Sequence, residues 1–241
     1  MAHFRGGFAK HLAPGYFRVM VQSYKQRPLE GDKLVNMKTS TRAYEDDFQV
    51  AGFGTLQLKP EGSAVPMQDM IEGTSKRYRW TTYALGTRTT REMKADDLYG
   101  TFVKKISTLM GRSARNNKEI VMHSVLNNAF STSYVGWEAG VSLCSTSHTL
   151  LRTQTTVANR PATDVDFGLI PLQAALEHFH NLTDDSGFPT VHIPRLVVHS
   201  IGDYWMVNQV LKTPQLPGSQ LNDINQVSRE GLSAHLSHYL T

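Results

Sequence analysis

The sequence has 241 residues, 40% hydrophobic and 19% charged, which suits one large domain or two small ones. Its 18 Gly, 10 Pro and 9% aromatics exclude collagen-like, coiled-coil and disordered classes, and no apolar run approaches the roughly 18 residues of a membrane helix. The net charge of +4 is uneven: residues 1–120 carry 20 Lys+Arg against 12 Asp+Glu, and residues 121–241 carry 5 against 9, an asymmetry that serves an anionic partner or a second copy of opposite charge.

Residues 1–52 read as an extended arm, because Pro14-Gly15, Pro28 and Glu30-Gly31-Asp32 break the pattern. Tyr16, Phe17, Val19, Met20 and Val21 are nonetheless apolar enough to need a covering surface. Residues 53–97 read as strand and loop. Glycines and prolines punctuate the first part, and Lys76–Leu85 interleaves Arg77 and Arg79 with Tyr78 and Trp80, so a long basic hairpin with little core is expected. The clearest helix is 97–130, capped by Asp96 or Asp97, with Leu98, Phe102, Ile106, Leu109, Ala114, Val121, Val125 and Ala129 as its apolar stripe. At 1.5 Å per residue it would run roughly 50 Å, a structural spine.

Residues 131–165 form a Ser/Thr/Gly-rich connection. A helix over about 167–181 follows, with Leu172, Ala175, Leu176 and Phe179 inward and Pro171 tolerable in its first turn. Asp184–Gly187 is a turn, Arg195–His199 a buried strand, Tyr204–Lys212 a helix stopped by Pro214 and Pro217, and Ser233–Leu240 another strand. The second half is thus expected to be an α/β unit.

Catalytic constellations are weak. His178 and His180 point about 200° apart on a helix and cannot clamp one ion, and the other histidines lack metal-ligand spacing. Cys144 with His148 has the residue types of a nucleophile and its base, but no orienting acid or oxyanion pattern lies nearby. The single cysteine excludes an internal disulfide framework and fits a reducing compartment; Met1–Gly7 has no apolar core of a signal peptide, which leaves Asn181-Leu182-Thr183 an accidental glycosylation signal. Gly52-Phe53-Gly54 lacks the third glycine of a dinucleotide loop, and no phosphate-binding GxxxxGK[ST] occurs. Arg112, Arg115 and Lys118, three apart on the long helix, could meet phosphates but read as a solvated face. No catalytic, cofactor-binding or metal-binding residue is nominated.

From the long helix onward, consecutive segments carry a resemblance. The helix ends Val125-Leu126-Asn127-Asn128-Ala129-Phe130, and the connector reads Gly140-Val141-Ser142-Leu143-Cys144-Ser145-Thr146-Ser147-His148. This is similar to a G-(K/V)-x-L-F-S-x-x-H-P segment, with Cys144 in place of the aromatic and Thr149 in place of the proline. Asn159, Leu172–Phe179, Gly187-Phe188-Pro189, Ile193-Pro194-Arg195-Leu196-Val197-Val198, Asn222-Asp223-Ile224-Asn225 and Leu236–Leu240 extend the likeness. Over roughly residues 95–241 the chain resembles the major capsid (major head) proteins of tailed bacteriophages, particularly the Mu-like major head subunit group.

The resemblance implies an α+β fold of the Hong Kong 97 phage capsid type: an N-terminal arm at 1–52, an extended β-hairpin loop at 53–97, a peripheral domain at 98–165 with spine helix 98–130 and connector, and an axial domain at 166–241 that stops before the family's returning segments. It implies a non-enzymatic shell protein without cofactor or metal. Such a protein is made in the bacterial host cytoplasm and found in the virion, where it assembles with itself into hexamers and pentamers of an icosahedral head. The partners implied are scaffold, portal and decoration proteins and packaged double-stranded DNA held by non-specific electrostatics, with no membrane. Lys76, Arg77, Arg79, Arg88 and Arg91 on the hairpin, and Tyr16 and Phe17 on the arm, are the expected inter-subunit contacts. A head decoration or minor structural protein, or a prophage-derived shell protein, is the second reading; a cysteine-dependent hydrolase using Cys144 is the third.

Overall fold

The computed structural model describes residues 9–96, 100–134, 138, 140–215 and 223–241; the side chains of residues 9–14, 91, 94 and 103 lie outside that description, as do Asp97, Leu98, Pro217 and Asn222. The architecture mixes helices with small sheets, in two compact units: residues 1–41 with 80–125, and residues 42–79 with 126–241.

The first unit is helical. Helix α1 (Ala9–Lys25) is continuous through Pro14-Gly15, where an extended arm was expected. Tertiary packing overrides the two breakers. Tyr16, Val19, Met20, Ser23 and Tyr24 recur at helical spacing and are half-buried, while Phe17 is exposed. The partner is α3 (Thr101–Asn127), joined to the exposed segment 80–90 by the short α2 (Arg91–Asp96). At Gly111 the two helices come so close that a Cβ there would strike the carbonyl oxygen of Met20. Ser23 Oγ donates to the Thr108 carbonyl at 2.9 Å beside that approach. Further on, the one-turn 3-10 segment Gly31–Lys33 is pinned by Glu119, whose buried carboxylate accepts the backbone N–H of Glu30 (2.8 Å) and of Gly31 (3.1 Å).

The buried side of α3 is therefore not the expected apolar stripe. Ser107, Gly111, Glu119, Met122 and His123 are buried, whereas Phe102, Leu109 and Val121 are exposed. Close helix packing favours small residues and satisfied polar groups at the seam, and this leaves part of the apolar stripe facing out, while Ile106 and Val125 are half-buried and Ala129 is buried.

The second unit opens with an antiparallel hairpin, β1 (Tyr44–Ala51) and β2 (Ile71–Arg79), running from Tyr44 opposite Arg79 to Ala51 opposite Ile71 with an irregularity between Phe48 and Val50. Its first strand thus lies upstream of residue 53, within the segment read as arm. The connector holds two short strands, β3 (His148–Thr149) and β4 (Thr156–Val157), paired antiparallel. Helix α4 (Leu169–His180) carries Pro171 in its first turn. Strands β5 (Leu196–His199) and β6 (Ser233–Leu236) pair in parallel, with α5 (Tyr204–Lys212) between them in sequence. Val207, Val210 and Leu211 of α5 and Val227 form the core, and Leu172, Leu176 and Val197 pack on it. Asn225 closes α5: its Nδ2 donates to the carbonyls of Val210 (2.6 Å) and Thr213 (2.9 Å), and its Oδ1 accepts from Val227 N at 3.1 Å. Those acceptors are carbonyls that the helix end leaves without partners.

Candidate contact surface

The hairpin is fastened near its loop end by side chains of its own unit. Arg152, in the connector, donates from Nε to the Gly52 carbonyl (2.8 Å) and from Nη2 to the Asp69 carbonyl (2.7 Å), so one guanidinium holds both ends of the loop 52–70. Gln49 Nε2 donates to Asp185 Oδ2 at 2.9 Å, and Gly73 admits Leu151, whose Cδ1 would lie 2.5 Å from any Cβ there. Arg152 is not legible from sequence, since the connector has no periodicity and a grip on two backbone carbonyls leaves no spacing signal.

Beyond that base the surface is apolar and uncovered. Leu56 and Leu58 are essentially fully exposed, and Phe53, Val65, Met67 and Met70 are exposed with them. Strand β1 repeats the anomaly: Tyr44, Phe48 and Val50 face solvent, while Glu45 and Gln49 are half-buried. A half-buried strand normally turns its apolar residues inward. The segment 80–90 adds exposed Trp80, Tyr83 and Leu85, and α3 adds Phe102, Leu109 and Ile120. Large apolar groups exposed in such number are rare on a surface meant for water.

The nominated cations are divided. Arg77 is engaged within the hairpin: its Nε and Nη2 meet Asp46 Oδ1 and Oδ2 at 2.6 and 2.7 Å, and its guanidinium lies 4.2 Å from the Tyr44 ring centre. The hydrogen bond from Arg77 holds the Asp46 carboxyl below its usual range, and Asp46 in turn raises Arg77. Lys76 sits over Tyr78 at 5.8 Å. Arg79 and Arg88 are exposed, and the side chain of Arg91 lies outside the described residues. Tyr16 is half-buried and Phe17 is 66% exposed, so only the latter offers most of its ring to a neighbour.

Cys144 lies in the connector, its N–H donating to the Ala129 carbonyl at 2.7 Å. Burial pushes its thiol up, against the opposing pull of Arg160. His148 Nδ1 faces Glu138 Oε1 at 3.9 Å. Asn159 pegs the connector, accepting from Ser145 N at 2.8 Å and donating to the Leu143 carbonyl at 2.7 Å. Beside it is an open cleft of about 610 Å³ with Phe48, Leu143, Leu150 and Leu182 in its wall. Among the described residues no group of three His, Cys, Asp or Glu is placed to hold a metal ion, and no helix is long and apolar enough to cross a membrane.

No model of a protein family matches the sequence, and no curated protein matches it. Solved structures do. A chain of the capsid of bacteriophage JBD30, a capsid decorated with minor capsid protein trimers, superposes with a TM-score of 0.68 at 12% identity, over 89% of this chain and 92% of that one. A chain of the JBD30 procapsid superposes with a TM-score of 0.66 at 13% identity, over 97% of this chain and 99% of that one. The fold is that of a phage capsid chain. At such identity the likeness lies in the backbone path, so a capsid fold here is carried by a different set of side chains.

Proposed function

We propose that this protein is the major shell subunit of a tailed-phage head, a non-enzymatic tile that assembles with itself into closed icosahedral particles around double-stranded DNA, and that it resides in the virion after synthesis in the host cytoplasm. The observation that carries the reading is the loop 52–70, whose ends are fixed by Arg152 and whose Leu56, Leu58 and Met67 are left in water. A loop held in place with its apolar groups bare fits a surface meant for a second copy. A shell needs only modest contacts of about 800 Å² per partner, repeated around each subunit. The shared fold with chains of an assembled capsid and a procapsid supports the same reading. In this reading the hairpin tip and the Phe102–Leu109–Ile120 face of α3 are inter-subunit contacts, and hexamers, pentamers, scaffold, portal and decoration proteins are the partners. The thiol of Cys144, raised by burial, favours a structural role over a nucleophilic one.

The test is particle formation by the purified chain, followed by light scattering and negative-stain electron microscopy, beside a variant in which residues 55–67 are replaced by a short Gly-Ser turn. That deletion spares both strands and the Arg152 contacts. Closed particles or capsomer rings from the parent and only dispersed subunits from the deletion are expected. A parent that stays monomeric at high concentration, or normal particles from the deletion, would overturn the tile reading. Binding only to preformed shells would indicate a decoration protein instead.

A further inference from the structure

The row Arg112, Arg115 and Lys118 reads in sequence as a solvated face, yet two of its members converge with a third arginine. Arg27, Arg112 and Arg115, together with Ser23, Gln26 and Asn116, line a pocket of about 390 Å³ at the seam of α1 and α3. We infer that this seam binds the phosphodiester backbone of nucleic acid, with Arg112 and Arg115 as the principal phosphate contacts.

Four observations lead there. No acidic residue lines the pocket, although Glu30 offsets Arg27 in its wall, while Glu119 is taken up by backbone and leaves Arg112 and Arg115 to carry the site. Glu30 meets Arg27 at 2.8 Å, and both carboxylate oxygens of Glu119 accept backbone N–H groups. Second, Arg115 is held against the Tyr24 ring, 5.2 Å from its centre, and its Nε is buried without an acceptor among the described residues. A buried cationic donor left without an acceptor is costly, and an incoming anion removes that cost. Third, the pocket continues into a row. At 100° per residue, Lys104, Lys105, Arg112, Arg115 and Lys118 fall within an arc of about 140° on α3, spread over about 21 Å of its axis. Duplex DNA presents one charge per roughly 1.7 Å of axis, so several phosphates fall within that reach. Fourth, the unit containing the seam has 15 Lys+Arg against 6 Asp+Glu, while the other has 10 against 15.

A second copy of this chain is the less suitable occupant. Its longest acidic run is Glu45–Asp47, in which Arg77 already holds Asp46 and Arg42 lies 3.6 Å from Glu45. The site would take any sequence, because guanidinium contacts to phosphate position a duplex without reading its bases. The inference rests on the shell reading for the identity of the nucleic acid, packaged duplex DNA, and on the pocket alone for the site.

The experiment measures binding of two 30-base-pair duplexes of unrelated sequence by fluorescence anisotropy across a salt series, with particle formation scored in the same samples. The parent should bind both duplexes equally. The R112Q/R115Q variant should bind at least about tenfold more weakly at low salt, with the slope of log affinity against log salt shallower by about 2. R112Q alone, at an exposed position, should account for about half of the slope change and guards against misfolding of the double variant. Unchanged affinity and slope in both variants would overturn the assignment. So would a parent that binds neither duplex, or one that binds polyglutamate of equal charge as tightly. Particles that form normally while DNA binding is lost would leave the shell reading intact and locate the binding at the seam. DNA binding that survives the arginine changes in a chain forming no particles would sink both readings.

Discussion

At the scale of single residues, one cysteine illustrates how environment decides chemistry. Cys144 and His148 have the residue types of a nucleophile and its base, but burial raises the thiol and so disfavours the thiolate that would attack. Two outcomes follow. Iodoacetamide should modify Cys144 in the folded chain several-fold more slowly than in the urea-unfolded chain at pH 8, and C144A should form particles normally. Because the folded thiol holds its proton to higher pH than the unfolded one, the linked stabilisation is full below the unfolded pKa of roughly 8.5 and is lost as pH rises through the folded value. Rapid modification of the folded chain would place an activated thiolate there. Asp46 runs the other way: its carboxyl is lowered by Arg77, so its contribution is present above the ordinary carboxylate range and is lost as pH falls through the lowered value.

At the scale of elements, legibility followed whether the signal was local. Helix α5 spans Tyr204–Lys212 as its neighbours dictate, with Gly202-Asp203 before it and Pro214 after it. Helix α4 likewise starts just ahead of Pro171. Helix α1 was illegible because its stability comes from α3, 85 residues away at the Ser23–Thr108 hydrogen bond, while Pro14-Gly15 argues locally for a break. Strand β1 carries a clear two-residue alternation, Tyr44-x-x-x-Phe48-x-Val50, but it sits outside the Arg-and-aromatic-rich segment that drew attention to the hairpin. The spine's stripe was legible as a pattern and misleading as a core, since Leu109 is 61% exposed. The contact residues suffered the same limit: Arg77 reads as a free cation until the fold sets Asp46 and Tyr44 beside it. Gly111 makes the α1–α3 seam testable. Gly111→Ala gains up to about 1 kcal/mol of helix propensity. It also drives a Cβ into the Met20 carbonyl, and overpacking of this kind costs about 1–3 kcal/mol. The clash should win, lowering the urea midpoint and exposing α1 to proteolysis; a higher midpoint would mean that α1 moves aside freely.

At the scale of the whole molecule, few of the described residues are buried. The clustered core is Val207, Val210, Leu211 and Val227, whereas large apolar side chains from Phe53 to Trp205 face solvent. Association that covers such groups stabilises the folded state by mass action. Assembled particles should therefore melt at least about 5 °C above dissociated subunits in scanning calorimetry, and the subunit midpoint should rise with protein concentration. Equal midpoints would mean that the exposed groups are not covered on assembly.

The grip of Arg152 on Gly52 and Asp69 also makes the intervening segment a cassette. With both ends anchored to one side chain, lengthening the stretch around Gly62 adds only the slow, logarithmic entropy of a larger loop, about 0.6 kcal/mol per doubling. The two strands, the connector and the spine need not respond. The segment between Gly52 and Asp69 could thus be exchanged, and with it the surface it presents, while the frame that anchors it stays as it is.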